Sequence, residues 1–378
     1  MPLRGRSQVV IVGAGPAGCA AGIVLARAGV DVAVFDRARF PRDKTCGDAI
    51  SNDAVTLLEE LGCGDGLLRT PHALVHAADA RFPDGSFVRR QYQRPGMIVP
   101  RLALDDLMRR GLEASGARLL QECPVRELSE EGGRIDGVRG SELSWKADLV
   151  LAADGYGSLA WPKLGRPRVR SARLALSSRA YFEGVVYPDG AAVSEHCFIE
   201  SLPNGYAWIF PAVEGLSNVG VYQRADRFVG RLGPLLDGFV ASRPDRFAGA
   251  RQIGPSKSWP LPLTGRPSRA TLPSLLAVGD AAKLVDPLTG EGIWQALFSG
   301  MLAAETAISA LRAGGLGRRL RLGYEWNLQR RLGLAGVPRA WVQQTMTMLV
   351  QTRLYHRSAV RRALRWGYGG GLLEITKS

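Results

Sequence analysis

An α/β fold is predicted for this chain: a Rossmann-like βαβ domain interwoven with an antiparallel-sheet domain and followed by C-terminal helices. Three observations predict it. The glycine signature Gly13-Ala14-Gly15-Pro16-Ala17-Gly18 follows a short β-branched run near the start. A second signature, Gly279-Asp280-Ala281-Ala282 and then Pro287-Leu288-Thr289-Gly290-Glu291-Gly292-Ile293, lies far along the chain. Between them, from about residue 173 to 223, β-branched and aromatic segments alternate with turns such as Pro203-Asn204-Gly205.

Gln8 to Val12 reads as a buried strand ended by glycine. Gly13 permits the tight turn, Gly15 lets backbone approach a pyrophosphate, and Gly18 lets the next helix pack closely on the sheet. Pro16 and Ala17 open that helix, whose N-terminal amides and positive dipole end face the phosphates. Gly29 ends it. A second strand, 30–35, closes on Asp36, placed to hydrogen-bond an adenosine ribose, with Arg37 beside it.

The second signature completes the site. A short strand, 274–278, ends at Gly279. Asp280 is placed to accept hydrogen bonds from the ribityl hydroxyls of a flavin, which a nicotinamide dinucleotide lacks. Gly290 and Gly292 open a long helix from Ile293 to about Leu311. Its N-terminus would stabilise the negative charge of a reduced flavin ring. The pair of signatures therefore predicts FAD and redox chemistry. Arg101, before a helix, and Asp154, after the strand 147–153, are expected to reach the same cofactor.

The predicted organisation is a discontinuous FAD-binding domain (1–75, 95–170 and 255–311) and a substrate-facing sheet domain (76–94 and 171–254). The hairpin 76–92 joins that sheet through a turn at Pro83-Asp84-Gly85. Residues 312–378 form a basic helical region with 12 Arg and 1 Lys against 2 Glu, or +11 of the chain's net +14. Such a surface suits an acidic partner, either an anionic membrane surface or a carrier protein. No charge-free run of 18 apolar residues occurs, so no membrane span is expected. Nor is there a secretory leader of the usual kind. Five cysteines without a CxxC pair point to a reduced cytoplasmic setting. The four histidines have no metal-ligand spacing, so no metal is expected. No GxSxG nucleophile turn, no RNA-binding aromatic motif and no second GxGxxG is present. Nucleic acid is not an expected partner. NADPH must dock transiently, or a reduced electron carrier must supply electrons.

The order GAGPAG, Arg101, Ala153-Asp154-Gly155 and GDAA…DPLTGEGI resembles the flavoprotein hydroxylase superfamily over residues 8–311. That fold serves group A aromatic hydroxylases, squalene epoxidase, flavin halogenases and geranylgeranyl reductases. Two local motifs, Lys44-Thr45-Cys46-Gly47-Asp48-Ala49 and Tyr206-Ala207-Trp208-Ile209-Phe210-Pro211, are similar to those of the geranylgeranyl reductase group. Asp48 stands where plant and archaeal members usually carry a second glycine, a form more like actinobacterial members. The resemblance implies that the sheet roofs the flavin and that Tyr206, Trp208 and Phe210, sharing one face, line the substrate pocket. It implies that the Cys46 loop lies beside the flavin and the substrate double bond. The Cys46 thiol would then protonate carbon after hydride transfer from flavin N5. The implied substrate is a prenyl or other long apolar chain. The alternative is a monooxygenase or halogenase acting on a natural product, possibly carrier-bound. A halogenase of the tryptophan type would carry Trp in place of Tyr206 and a lysine beside the flavin, for which Lys283 is the candidate.

The basic C-terminal region generates one expectation. The protein should sediment with anionic but not neutral vesicles, and binding should weaken as salt rises. Equal binding to both vesicle types, or to neither, would remove this role.

Overall fold

The structure is a computed structural model that describes residues 3–165, 173–188, 190, 193–226, 230–264 and 269–366. Two eight-stranded sheets form its framework. The first has the order β15-β16-β9-β1-β2-β6. Its strands are β1 (Leu3–Val12), β2 (Val32–Phe35), β6 (Arg118–Leu120), β9 (Leu143–Ala152), β15 (Thr271–Leu272) and β16 (Leu275–Ala277). The hairpin β7 (Glu127–Glu131) and β8 (Arg134–Gly140) attaches to β9. β1 lies parallel to both β2 and β9, with Val9–Val12 opposite Val32–Phe35 and Leu149–Ala152. All twelve residues are buried, as a parallel sheet covered on both faces requires.

Helix α1 (Pro16–Arg27) returns from β1 and packs against α4 (Arg101–Ala114) and α8 (Ile293–Arg312). The α1–α8 contact is close because both helices are small-sided there. Ala296, Gly300, Ala303, Ala304 and Ala307 of α8 are buried, and a Cβ on Gly300 would lie 2.3 Å from the Ala17 carbonyl oxygen. Helices α2 (Asn52–Glu60) and α3 (Gly64–Arg69) pack beside them, and α5 (Ala160–Lys163) follows β9.

The second sheet has the order β14-β10-β13-β12-β11-β4-β5-β3. Its strands are β3 (Ala49–Ile50), β4 (Ala73–Arg81), β5 (Phe87–Ile98), β10 (Leu174–Glu183), β11 (Val193–Cys197), β12 (Gly205–Pro211), β13 (Leu216–Arg224) and β14 (Arg251–Pro262). It departs from a wholly antiparallel arrangement, because β11 pairs with β4 in parallel. It also extends beyond 76–94 and 171–254, taking in β3, all of β4 and β5, and β14. Alternation gives the sheet two faces. Ala207 and Ile209 face α6 (Leu232–Ala241) and α7 (Pro244–Phe247), in one core with Leu236, Phe239 and Phe247. Tyr206, Trp208 and Phe210 face the other way, in a core with Val75, Ile98 and Tyr222.

The C-terminal helices grip both sheets. α9 (Arg318–Leu328) holds the first: the Tyr324 hydroxyl donates to the Ala277 carbonyl at 2.7 Å, and Glu325 accepts from the Ala270 amide and Thr271 hydroxyl at 2.9 and 2.8 Å. α10 (Leu334–Gln351) holds the second, where Met346, Leu349 and Val350 pack with Phe82 and Val88. A π turn at Gln329–Gly333 joins α9 to α10, so the helical path runs on without a break through 334–337. The break comes later, at Arg353, whose φ is 56°, before α11 (Ser358–Trp366). Residues 367–378 of the basic region lie outside the described residues. No described helix is long and apolar enough to cross a membrane.

Gly300→Val is expected to destabilise the fold by roughly 1–3 kcal/mol, the usual cost of forcing extra carbons into a packed contact. Thermal unfolding measures it. An unchanged melting temperature would mean that α8 can move away from α1 freely.

Candidate active site

One cavity of about 870 Å³ lies between the two sheets. At the β1–α1 turn, Gly13 has φ 101°, and a Cβ there would meet the Ala153 carbonyl oxygen at 2.4 Å. A Cβ on Gly18 would lie 1.9 Å from the Gly13 carbonyl oxygen, so helix and strand meet only through glycine. Gly15 differs from both. Its φ of −75° suits any residue, and the nearest atom to an added Cβ is the Arg42 guanidinium at 3.9 Å. Neither backbone nor packing demands glycine at Gly15, and its bare backbone leaves open space at the cavity wall. α1 and α8 both begin at this cavity, at Gly15 and Gly292, and neither N-terminus has a side-chain cap. Two uncapped sets of amides facing one space suit the phosphates and the electron-rich ring of a dinucleotide.

Asp36 closes β2 and accepts from the amides of Ala14 and Ala38 at 2.8 and 2.9 Å. Arg42 bridges Asp36 and Asp105 at 3.4 and 3.1 Å. Arg101, buried, makes a two-pronged pair with Asp105 at 2.7 and 2.8 Å. Asp154 accepts from the Leu159 amide at 2.8 Å, and its burial raises its carboxyl above the ordinary range. Asp280, at the end of β16, pairs with Lys44 at 3.3 Å.

The segment carrying Lys44 also carries Cys46 and Asp48. Asp48 is fully buried with φ 64°, a conformation that glycine adopts freely and aspartate visits rarely. Three donors hold it there. Its carboxylate accepts from the Arg101 amide at 3.2 Å, from Asn218 Nδ2 at 2.8 Å and from the Tyr181 hydroxyl. Burial pushes the Asp48 carboxyl up, while Tyr181 and Asn218 pull it back. Tyr181 and Asn218 are direct partners across β10 and β13, so one cross-strand pair grips the loop. Asn218 Nδ2 also donates to the Cys46 carbonyl at 2.9 Å, and Trp208 Nε1 donates to Asn218 Oδ1 at 2.9 Å. Cys46 Sγ accepts from the Asp48 amide at 3.3 Å. Burial raises the Cys46 thiol pKa, opposed by the Arg101 charge, so the thiol keeps its proton at neutral pH.

Tyr206, Trp208, Phe210 and Tyr222 form the aromatic wall of the cavity. His196 packs between the rings of Tyr206 and Phe210, at 5.4 and 5.1 Å, and burial lowers its pKa to about 4. It is neutral at physiological pH. The loop before α8 is pinned to this wall. The Tyr206 hydroxyl donates to the Thr289 carbonyl, and Tyr222 to the Pro287 carbonyl at 3.0 Å. Asp286 accepts from the amides of Leu288 and Thr289 at 2.8 and 3.1 Å and pairs with Arg339 of α10. Glu291 accepts from the Ser51 hydroxyl at 2.6 Å.

The residues singled out from the sequence thus converge. Gly13, Gly15, Pro16, Ala17, Asp36, Arg37, Arg101, Asp154, Gly279, Asp280, Gly290, Gly292 and Ile293 line the cavity with Cys46, Tyr206, Trp208 and Phe210. Gly18 stands behind it as a packing residue. Lys283 does not line it; its ammonium lies 4.5 Å over the ring of Trp161. Sequence reasoning missed Lys44 as the partner of Asp280, the Tyr181–Asn218 pair and His196. Only strand register brings these together, and no short motif carries it. Among the described residues no group of acidic, His and Cys side chains could hold a metal ion.

Comparison with known proteins agrees with this geometry. Residues 6–216 match the FAD binding domain family. A menaquinone reductase of Mycobacterium tuberculosis is 35% identical over 325 residues, covering 81% of this chain and 77% of that protein. Digeranylgeranylglycerophospholipid reductase 1 of Methanopyrus kandleri is 32% identical, covering 80% and 81%. Among solved structures, a geranylgeranyl bacteriochlorophyll reductase-like protein of Thermoplasma acidophilum superposes with a TM-score of 0.85. It is 23% identical and covers 93% of this chain and 90% of its own. A flavin-dependent brominase reaches 0.75 at 18% identity, covering 94% and 92%. Fold and site define an FAD-dependent oxidoreductase. Within that class, the chain belongs to the geranylgeranyl reductase family of flavoproteins.

Gly15→Val should fold, since the space around Gly15 is open, yet purify with little FAD. Asp36→Ala should weaken FAD binding by roughly 1–3 kcal/mol, the cost of unmatched hydrogen-bonding groups. Flavin absorbance and titration of the flavin-free protein measure both. Full occupancy in the valine variant would show that the loop does not meet the cofactor.

Proposed function

We propose that this flavoprotein reduces isolated C=C bonds in a prenyl or other long apolar chain. The observation that carries the proposal is the cavity's two-sided character. One side offers uncapped amides, Asp36 and Asp280 for the dinucleotide; the other is the aromatic wall of the second sheet, with Cys46 where the two sides meet. The relatives named menaquinone reductase and digeranylgeranylglycerophospholipid reductase point to the same class of substrate. Bound FAD supplies the hydride. The chain's part is to hold FAD through the Gly13–Ala17 turn, Asp36, Asp280 and the α8 N-terminus, and to exclude water with the aromatic wall. It also places the Cys46 proton beside the acceptor carbon. Hydride and proton together saturate the double bond. The electron donor is NADPH docking transiently, or a reduced carrier protein. The basic helices α9 to α11 would bring the enzyme to an anionic membrane surface, where such chains reside.

A halogenase or monooxygenase reading is less well supported. The lysine candidate for halogenation, Lys283, is spent on Trp161 outside the cavity.

Reduced enzyme, kept free of oxygen, should be reoxidised by a prenylated lipid, giving a product heavier by two hydrogens and without new oxygen. Cys46→Ser should slow this step more than flavin reduction, by about 10²–10⁴-fold if the thiol supplies the proton. A smaller loss would assign protonation to water. Product carrying an atom of molecular oxygen, or halide, would replace the reductase reading with its alternative.

A further inference from the structure

Six carboxyl groups line the cavity: Asp36, Asp43, Asp48, Asp154, Asp280 and Glu291. Among the described residues, the five aspartates each have a cation or a backbone amide as partner. Asp36 accepts from the amides of Ala14 and Ala38, and Asp154 from that of Leu159. Asp43 pairs with Arg179 and Lys257 at 2.9 and 2.6 Å, and Asp280 with Lys44. Asp48 has the Arg101 amide besides Asn218 and Tyr181. The Glu291 carboxyl has only the Ser51 hydroxyl. Of the six, it is the one whose negative charge receives the least direct compensation.

The surroundings of Glu291 make that charge harder to hold. Removal from bulk water raises its carboxyl above the ordinary range; the Ser51 hydroxyl opposes this, Asp286 of the same loop and Asp53 of α2 add to it, and Arg339 of α10 opposes it while pairing directly with Asp286. From β5, Tyr92 lies within electrostatic reach: burial pushes its phenol up, Ser194 and Arg90 oppose the shift, and Glu291 reinforces it. The loop fixes the residue in place. The Glu291 carbonyl accepts from the Asp286 amide at 2.8 Å, the Glu291 amide donates to the Thr289 hydroxyl at 3.2 Å, and the Gly290 amide donates to the Asp286 carbonyl at 2.9 Å. Glu291 immediately precedes Gly292, where α8 starts without a side-chain cap. The amides there suit the negative charge of a reduced flavin ring. A carboxylate in the same loop repels that charge, and more strongly in a low-dielectric cavity than in water.

We propose that Glu291 is a proton-coupling residue, which takes up one proton when the bound FAD is reduced and releases it when the flavin is reoxidised. Reduction adds two electrons and one proton to the flavin and leaves it with a single negative charge. The Glu291 carboxylate takes a second proton from water. A neutral flavin beside a carboxylate thus becomes an anionic flavin beside a carboxylic acid, and the pair has the same total charge in both states. The coupling is reciprocal: protonating Glu291 favours reduction by the factor by which reduction favours protonation. The inference concerns the FAD site and holds whichever substrate the reduced flavin meets, so its failure would leave the apolar-chain reading untouched.

The test is the midpoint potential of the FAD-loaded protein, measured by anaerobic reductive titration against indicator dyes over a range of pH. With one proton taken up per two electrons, each pH unit changes the reduction equilibrium about tenfold, or about 30 mV. With two protons the change is about 100-fold, or about 60 mV. Wild type should show the steeper slope between the pKa of Glu291 in the oxidised protein and its higher pKa in the reduced protein, and the shallower slope above that window. E291Q keeps an oxygen for the Ser51 hydroxyl but cannot titrate. It should lose the steep segment, and above the window its potential should lie higher than that of wild type. S51A removes the donor that favours the carboxylate, so the steep segment should move to higher pH. A wild-type profile that matches E291Q would overturn the proposal. So would a steep segment that E291Q retains, since the second proton would then belong to the flavin itself. If E291Q purifies without FAD, S51A decides, and a segment that S51A leaves unmoved overturns the proposal.

Discussion

The close approach of α1 and α8 is the constraint on which the site depends. Gly300 lies against the Ala17 carbonyl, and small side chains continue the contact along α8. The two helices belong to segments nearly three hundred residues apart in sequence, yet their N-termini open on one cavity. Neither terminus has a side-chain cap, so each keeps backbone donors for a ligand. A larger residue in the contact would push the termini apart and split one cradle into two unconnected helix ends. The small-residue face is thus a packing feature with a functional result: it sets the span over which a long cofactor can be held.

A second constraint joins the sheets. Asp48 belongs to the segment leading out of the nucleotide-binding half, and its carboxylate is held by Tyr181 and Asn218 of the other half. An aspartate with positive φ is an unfavourable backbone choice, offset here by three donated hydrogen bonds. A glycine would adopt the turn more easily but would bring no carboxylate to Tyr181 and Asn218. The aspartate therefore exchanges backbone ease for a fixed position of Cys46 relative to Trp208 and the aromatic wall.

Much of this was legible in the sequence, for local reasons. The β1–α1–β2 unit could be read because each glycine has a separate physical task within six residues. The face shared by Tyr206, Trp208 and Phe210 followed from the two-residue period of a strand. What could not be read depends on register between distant segments. The parallel pairing of β11 with β4 joins residues more than a hundred apart and has no turn to announce it. The Lys44–Asp280 pair and the Tyr181–Asn218 grip exist only once the sheets are assembled. The extent of β14 was hidden because its polar, mostly exposed residues lack the alternation that marks a half-buried strand. The π turn at Gln329–Gly333 was hidden too, since no residue type or period marks it.

The protonated state of Cys46 bears on durability as well as chemistry. Any reduced flavin that meets oxygen releases peroxide within a few ångströms of its neighbours. Peroxide attacks the thiolate, and repeated attack carries a cysteine to acids that cannot be reduced back. Burial keeps Cys46 in the unreactive thiol form, despite the opposing charge of Arg101. In the proposed reaction the loop would thus bring a sulfur to the cofactor cavity without supplying the nucleophile that the oxidant consumes.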